Sequence, residues 1–212
     1  MDFSELSHQT EIRDSLDKIL SEHCSQERLK KYDADFKHDE SLLSLLSING
    51  FLGLGLNEKY GGSGEDLYDL GILFERLGYH AAPLSLSGCL ADVAQTIQKF
   101  SNEESCNEIL SSIIAGEIYT SAILEPSNQD PENPITTAKI EDDQLIITGT
   151  KYLSEIASIA KSILISANSN EGVLLILVDT DQVKLIELNS TANSPLFKVE
   201  LDSVKVDRES II

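Results

Sequence analysis

The chain has 212 residues, with 16 Lys and Arg against 36 Asp and Glu, which gives a formal net charge of −20. This charge excludes non-specific nucleic-acid binding, because that binding needs Lys and Arg to displace counterions from phosphates. It also disfavours docking on an anionic membrane surface. The hydrophobic share of 41% is ordinary for a soluble globular protein, and the length is enough for one large domain or two small ones.

Signals for export, membrane insertion or metal binding are not found in the sequence. The first residues, MDFSELSHQTEI, lack the charged stretch and apolar run of a signal peptide, and no stretch approaches the ~20 apolar residues of a membrane span. Cys24, Cys89 and Cys106 have no CxxC spacing, so we expect buried or half-buried free thiols in a reducing compartment. The four histidines have no metal-ligand spacing. The expected location is cytoplasmic.

The first half of the chain has the three- and four-residue apolar spacing of amphipathic helices. Asp39 or Ser41 can cap the second of these helices, which stops at Asn49-Gly50. Gly71 in the third is predicted to be a close-packing point. Five helices with short connections predict an all-α bundle over residues 1–117. Apart from the second, they are predicted at about Phe3–Cys24, Glu65–Tyr79, Ser87–Phe100 and Asn102–Ala115.

Two glycines between the second and third helices, Gly53 and Gly55, superficially suggest a nucleotide-binding loop. A dinucleotide fingerprint needs a third glycine, a preceding strand and a following βαβ unit, and this segment has none of them. We therefore predict that these glycines let the backbone turn and pack closely. The later cluster Gly61–Gly64 is predicted to be a tight loop that leads into a helix.

From Ile118 onward the pattern changes to alternation and short β-branched runs, which predict strands. Six or seven short strands separated by turn signals indicate a β-barrel or sandwich over residues 118–212. The predicted fold is therefore α+β, with a helical bundle followed by this β domain. The candidate strands are Ile118–Leu124, Thr136–Ile140, Leu145–Tyr152, Ser162–Ala167, Val173–Val178, Val183–Leu188 and Phe197–Val206.

The junction between the two halves, Tyr119–Asp130, is the predicted edge of a ligand site. Pro126 cannot donate to a sheet ladder, so the first strand must end near Glu125. The following residues, Pro126–Pro134, have the Asn, Ser, Pro and acid content of an exposed loop. Ligand contacts tend to collect on loops that a rigid scaffold holds in place.

Five segments, in order along the chain, resemble motifs of the acyl-CoA dehydrogenase family. They match its G-x-x-x-x-P-E-x-Y-G-G-x-G loop, its E-E-L-G helix end, its A-x-T-E-P strand, its L-N-G-x-K strand and the F-x-x-V-x-V-P that closes its β domain. No single match is specific, but the ordered set is. The segments are Leu52–Gly64, Glu75–Gly78, Ala122–Pro126, Gln144–Lys151 and Leu201–Ile212.

This resemblance implies an N-terminal helical domain and a middle β-barrel that bind FAD and acyl-CoA together with a C-terminal helical domain. The family's catalytic glutamate, which removes the α-proton while the flavin accepts the β-hydride, lies in that third domain. We therefore expect these 212 residues to carry no catalytic residue and to lack the third domain. The resemblance also implies fatty acid metabolism, an electron-transfer flavoprotein as a candidate electron acceptor, and oligomerisation only through the third domain or a partner subunit.

Site residues are implied by the same resemblance, with departures from the family motifs. Leu124 stands where the family usually has a Thr that contacts the flavin, so only its backbone contacts would remain. The segment after Lys151 lacks the usual aromatic and Thr, and resembles the branch that reads G-x-K-x-x-V-x-x-A. The implied FAD-binding residues are Ser121, Ile123, Leu124, Leu153 and Ser154, and the implied acyl-CoA-binding residues are Gln129 and Asp130.

Simpler interpretations of the same residues stay open at this point. The strand residues from Ser121 to Leu124 can be packing residues, and so can Tyr152 and Leu153. Lys151 by itself is interpreted as a solvated lysine that protects a sheet edge. Three functions remain: an acyl-CoA dehydrogenase, a flavin-poor partner subunit of a heteromeric dehydrogenase, and an oxygen-using relative such as an acyl-CoA oxidase or a flavin monooxygenase.

Overall fold

The computed structural model describes residues 5–35, 38–64, 66–128, 130–190 and 194–212. The first part is helical and the second part is a β-sheet, which confirms the α+β prediction. A π-helical segment, Ser87–Ala94, leads without a break into α5. The α-helices are α1 (Ser7–His23), α2 (Gln26–Asp35), α3 (Glu40–Ile48), α4 (Leu67–Tyr79), α5 (Gln95–Phe100) and α6 (Glu103–Ile114).

All five predicted helices are present, and capping side chains mark the starts of α3 and α6. Asp39 caps α3 by accepting a hydrogen bond from the Leu42 amide at 3.0 Å, and Asn102 caps α6 in the same way. The helix α2 was not predicted, because Leu29 is its one aliphatic side chain larger than alanine and leaves no apolar stripe to detect. The predicted helix ends at Phe3 and Glu65 lie outside the described residues.

The seven predicted strands are also present, and they form one mixed sheet that curls into a half-barrel. The sheet order is β1-β4-β2-β3-β7-β6. Strand β5 lies outside this order and pairs with β4. The pairing of β1 with β4 is parallel, whereas β3 pairs antiparallel with both β2 and β7. The strands are β1 (Thr120–Ala122), β2 (Thr137–Glu141), β3 (Gln144–Glu155), β4 (Ser162–Ser169), β5 (Gly172–Asp179), β6 (Lys184–Leu188) and β7 (Leu196–Asp207).

Strand β4 joins the two halves because both of its faces are covered. Its residues 162–167 are all buried, as expected for a strand whose sequence is a nearly continuous apolar run. Leu164 belongs to the core that the helices build, whereas Ile163 and Ile165 belong to the core inside the half-barrel. The helical core therefore continues onto the sheet, and the division into domains at residues 117 and 118 stays a prediction.

The cysteines match their prediction. Cys24 is half-buried, Cys89 and Cys106 are buried, and all three are free thiols. Burial raises the pKa of Cys89 to about 11, which keeps this thiol protonated and unreactive. Among the described residues, no helix combines the length and the apolar character that crossing a membrane would need.

The glycines of the loop before α4 permit close backbone contact, as predicted. A Cβ atom on Gly53 would lie 3.2 Å from the Cα of Gly62, and one on Gly62 would lie 2.1 Å from the carbonyl oxygen of Leu56. The prediction for Gly71 is wrong. Nothing lies within 4 Å of a Cβ atom built on Gly71, because this position of α4 faces solvent.

These two glycines give a matched pair of alanine substitutions with opposite expected effects. Gly62→Ala should lower the free energy of unfolding by about 2–4 kcal/mol, because backbone atoms must move to admit the methyl group. Gly71→Ala should raise it by about 0.5–1 kcal/mol, because alanine favours an exposed helix position over glycine. Urea unfolding followed by circular dichroism measures both values. A neutral Gly62→Ala would contradict the close contact with Leu56.

Candidate functional site

A cleft of about 220 Å³ lies between the π-helical segment and the adjoining ends of β1 and β3. A Cβ atom on Gly88 would lie 2.8 Å from the Oγ1 atom of Thr120, so only glycine lets the helical segment approach β1 this closely. The cleft is therefore built by the contact between the two halves of the chain. Its lining residues are Ser87, Gly88, Asp92, Thr120, Ser121, Ile123, Leu124, Tyr152, Leu153 and Glu155.

A β-bulge in β3 determines which residues of that strand reach the cleft. Lys151 is opposite Val199 of β7 and Ser154 is opposite Phe197, so three steps along β3 correspond to two along β7. Within the bulge Leu153 has φ +59°, a conformation that is uncommon for a residue other than glycine. As a result Leu153 is 44% exposed in the cleft, whereas regular alternation from Lys151 would have buried it.

The end of β1 forms the facing wall. Leu124 is 43% exposed in the cleft, and its carbonyl accepts a 2.8 Å hydrogen bond from the Tyr152 amide. This bond ties the two walls together. The structure therefore brings Ser121, Ile123, Leu124 and Leu153 into one cleft, as the sequence-based assignment would require. Ser154 is different, because the bulge turns it inward, where its hydroxyl donates to the carbonyl of Ser121 at 2.9 Å.

Behind the cleft lies a buried ion pair between Lys151 and Glu125. The Lys151 Nζ atom is 2.9 Å from the Glu125 Oε1 atom, and the two side chains are 0% and 4% exposed. The interpretation of Lys151 as a solvated edge lysine is wrong, because β3 is a central strand between β2 and β7. The alternation of side chains along β3 indicates this burial. Leu145 and Ile147 are fully buried, and Lys151 lies an even number of residues after them, on the same face of the sheet.

The environment of Glu125 keeps its carboxylate ionised. Burial opposes ionisation, but the neighbouring Thr136 hydroxyl, the amides of Ile135 and Thr136, and the Lys151 ammonium outweigh burial and lower the pKa of Glu125 to about 2. Both amides donate to the carboxylate at 2.7 Å. Burial lowers the pKa of Lys151, against the opposing effect of Glu125.

The loop that follows Pro126 does not bring Asp130, which was assigned to acyl-CoA, into the cleft. Asp130 is exposed, and its carboxylate accepts hydrogen bonds from the Glu132 amide and the Asn133 side chain. It does not line the cleft. Gln129 lies outside the described residues, so its assignment stays a prediction. The start of the loop, at Pro126 and Ser127, instead lines a separate depression on the other side of Glu125.

Sequence reasoning missed two carboxylates that line the cleft, Asp92 and Glu155. Asp92 Oδ2 accepts from the Ser121 hydroxyl, and Glu155 Oε2 accepts from Ser87 at 2.7 Å and from Ser85. Among the residues that the structure describes, no Lys, Arg or His lines the cleft. Nothing in the spacing of these two acids could have identified them, because they come from separate elements that only the packing of helix on sheet brings together.

One further cluster has side chains of the types that bind metal ions. Ligand atoms of His8, Asp66 and Asp69 lie within 4.8 Å of one another. Each carboxylate already has a structural role, since Asp66 caps α4 through the Tyr68 amide and Asp69 accepts from Gln9 at 3.1 Å. These contacts join the starts of α1 and α4 and account for the cluster.

Comparison with known proteins gives a consistent result for the sequence and the fold. A family profile described as "Acyl-CoA dehydrogenase, N-terminal domain" matches residues 7–117. The acyl-CoA dehydrogenase FadE12 of Mycobacterium tuberculosis is 28% identical over 189 residues, which cover 83% of this chain and 49% of the relative. The chain thus spans about half the length of the curated relatives it matches.

Two solved structures illustrate the similarity of the fold. The ChsE4-ChsE5 complex from Mycobacterium tuberculosis superposes with a TM-score of 0.92 at 21% identity, covering 100% of this chain and 58% of that one. A glutaryl-CoA dehydrogenase from Mycobacterium smegmatis in complex with FADH2 superposes with a TM-score of 0.84 at 20% identity, covering 98% and 55%. At these identities the superpositions establish the fold alone.

The low pKa of Glu125 predicts a pH dependence of stability. Because the folded-state pKa of about 2 lies below the ordinary value of 4.5, the contribution of this carboxylate is complete above pH 4.5 and is lost as the pH falls toward 2. The difference in unfolding free energy between the wild type and Glu125→Gln should therefore shrink by about 2 kcal/mol between about pH 6 and about pH 3.

Urea unfolding at several pH values measures this difference. Glu132→Gln is the matched control, because Glu132 is an exposed carboxylate of the same loop, and exposed substitutions usually change the unfolding free energy by no more than about 0.5 kcal/mol. A Glu125→Gln difference that is equally large at every pH would show that the Glu125 carboxylate has an ordinary pKa.

Proposed function

The chain belongs to the acyl-CoA dehydrogenase family, and on that premise we propose that it forms the helical and half-barrel parts of a flavoprotein that dehydrogenates an acyl-CoA thioester. The supporting observation is that Ser121, Ile123, Leu124 and Leu153 line one cleft. These residues were assigned to the flavin from two separate sequence motifs. Their convergence is what a shared ligand would require.

The chemistry of the lining suits the ring of a flavin. FAD, when bound, supplies the hydride acceptor that no side chain can provide. Leu124 and Leu153 offer exposed apolar surface from opposite walls, and the Ser121 hydroxyl and the backbone around the bulge offer polar groups. Apolar walls with a few placed polar groups are the usual composition of a cofactor site.

The size of the cleft suits only part of the ligands. Complete ligand pockets are usually about 300–1,000 Å³, whereas this cleft is about 220 Å³. The ring system would therefore occupy the cleft, and the rest of FAD and the acyl-CoA would need further walls. We assign the CoA arm to the loop that contains Gln129 and Asp130, outside the cleft.

None of these 212 residues is proposed as the catalytic base. A C–H bond next to a thioester carbonyl needs a positioned base together with oxyanion stabilisation. Within the described part of the chain, the carboxylates that line the cleft are Asp92 and Glu155, and serine hydroxyls engage both. The chain spans about half of its relatives, so the base is proposed to come from the other half of the active protein. Electron transfer to an electron-transfer flavoprotein, and oligomerisation through the other half or a partner subunit, are parts of the same proposal.

A flavin-poor partner subunit is the second candidate function. It is favoured by the two carboxylates in the cleft, because they would repel the phosphates of FAD, and by Leu124, which offers no hydroxyl to the ring. The similar fold from Mycobacterium tuberculosis belongs to a complex of ChsE4 with ChsE5, so this fold occurs in a heteromeric assembly. The two candidates differ in whether the cleft holds a flavin.

Retention of flavin is the experiment that separates them. The purified chain, mixed with FAD and freed of the excess, is expected to keep a visible flavin absorption band. Leu124→Glu and Leu153→Glu should each weaken FAD binding at least about tenfold, or about 1.4 kcal/mol, because a buried carboxylate against the ring would be left unpaired. Equilibrium titration of flavin fluorescence measures this affinity.

Val173→Glu is the matched control, because Val173 is an apolar residue of β5 that is 43% exposed, like Leu124, and does not line the cleft. Its affinity for FAD should equal that of the wild type. Failure of the wild-type chain to hold FAD, both alone and after assembly with the polypeptide that supplies the remaining half, would establish the partner-subunit function instead.

A further inference from the structure

We infer that the buried Lys151–Glu125 pair is a positioning device that holds the two walls of the cleft in register and thereby sets its affinity for flavin. The inference rests on the proposed function for the identity of the ligand. Glu125 directly follows Leu124 of one wall, and Lys151 precedes Leu153 of the other wall by two residues. The ion pair therefore joins the two walls from behind, at the positions where their exposed side chains originate.

Both oxygen atoms of the Glu125 carboxylate accept two hydrogen bonds each. Its Oε1 atom accepts from Lys151 Nζ at 2.9 Å and from the Thr136 amide at 2.7 Å. Its Oε2 atom accepts from the Ile135 amide at 2.7 Å and from the Asn128 side chain at 3.3 Å. Only an ionised carboxylate offers four acceptor sites. The side chain thus closes the loop 126–134 on itself while it fixes the end of β1.

The ammonium group of Lys151 likewise has a partner for each of its three N–H donors. Besides Glu125, it donates to the Ser166 hydroxyl at 3.1 Å and to the Ile123 carbonyl at 3.4 Å. Two of its three donors therefore reach the segment directly after β1, and the third reaches β4. Together the two side chains connect β1, the start of β2, β3 and β4 at a single buried point.

Hydrogen bonds and ion pairs fix the relative orientation of the groups that they join, in addition to any effect on stability. Replacing a buried ion pair with apolar residues of similar volume is often neutral or stabilising, so stability alone gives no reason for this pair. What apolar packing cannot reproduce is a fixed geometry. The bulge residue Leu153, at φ +59°, costs about 1–3 kcal/mol of backbone strain and persists only if its surroundings hold it. The bulge begins at Lys151, and the buried ion pair fixes the position of this residue.

The first test compares single and double variants. Lys151→Met and Glu125→Gln should each lower stability, because each leaves a buried polar partner unpaired. The double variant E125Q/K151M should recover most of the stability that Lys151→Met loses, because no unpaired charge remains. Its affinity for FAD should nevertheless stay at least tenfold below that of the wild type. A double variant that binds FAD as the wild type does would overturn the inference.

The exposed pair of Glu117 and Lys161 provides the matched control. Their charged atoms are also 2.9 Å apart, but both side chains are about half exposed. The double variant E117Q/K161M should change neither stability nor FAD affinity, because exposed ion pairs contribute little. An equal loss of FAD affinity in this control would overturn the inference, since a general electrostatic effect would then explain the result.

The second test needs no ligand and therefore separates this inference from the proposed function. Hydrogen exchange reports on the bond between the Tyr152 amide and the Leu124 carbonyl, which links the two walls at 2.8 Å. In the double variant E125Q/K151M the Tyr152 amide should exchange at least tenfold faster than in the wild type. The amide of Leu110, in the helical core, should exchange at the wild-type rate.

Equal acceleration at Tyr152 and Leu110 would show that the pair acts on global stability alone, and unchanged exchange at Tyr152 would show that the walls do not depend on it. Either result overturns the inference even if the wild type binds no FAD. If the double variant does not fold, hydrogen exchange at the Tyr152 amide can be measured in Ser166→Ala instead. This milder variant removes one acceptor of Lys151 and leaves the ion pair in place.

Discussion

The buried contact between Lys151 and Glu125 is the interaction on which the site depends. Two charges with almost no solvent exposure are costly to bury, and only complete hydrogen bonding makes that burial tolerable. The half-barrel provides this bonding by bringing four chain segments to one point. The positions of Leu124 and Leu153, and the closure of the loop after Pro126, follow from a contact that itself lies outside the cleft. A small buried polar network thus fixes the geometry of a mostly apolar ligand surface.

The bulge in β3 determines which side chains of that strand reach the site. Because side chains alternate along a strand, one extra residue reverses the face of every residue that follows it. Lys151 and Ser154 both point inward for this reason, and Leu153 points into the cleft between them. The motif that identifies this segment therefore marks a change of register as well as a set of contact residues. The extra residue also explains how a strand that begins with regular alternation can contribute to a site at its far end.

The cleft is a product of both halves of the chain, and its electrostatic character arises from their contact. Asp92 comes from the π-helical segment and Glu155 from the end of β3, and no cationic side chain of the described residues lines the cleft beside them. A family fold with this lining would favour the neutral ring of a flavin over its phosphates. The comparisons establish the family and the fold, and the residues of this chain determine how that fold is used.

All the α-helices and strands except α2 could be predicted from the amino-acid sequence, because they leave their own periodicity and caps in it. Asp39 and Asn102 mark helix starts through local hydrogen bonds, and the apolar run of β4 reports a strand that is covered on both faces. The ordered motifs likewise identified the family and four of the residues that line the cleft. These features depend on neighbours in the chain, so a pattern of local residues is enough to reveal them.

The surroundings of the remaining residues follow from contacts between distant parts of the chain. Lys151 has the parity of a buried residue, but its partner Glu125 is 26 residues away, and only the pairing of strands brings the two together. Ser154 was assigned to FAD, but the bulge turns its side chain inward. A one-residue irregularity of this kind has no signature in composition. Asp92 reaches the site through the close approach at Gly88. Contacts between distant segments depend on packing, and packing is set by the whole fold rather than by any stretch of sequence.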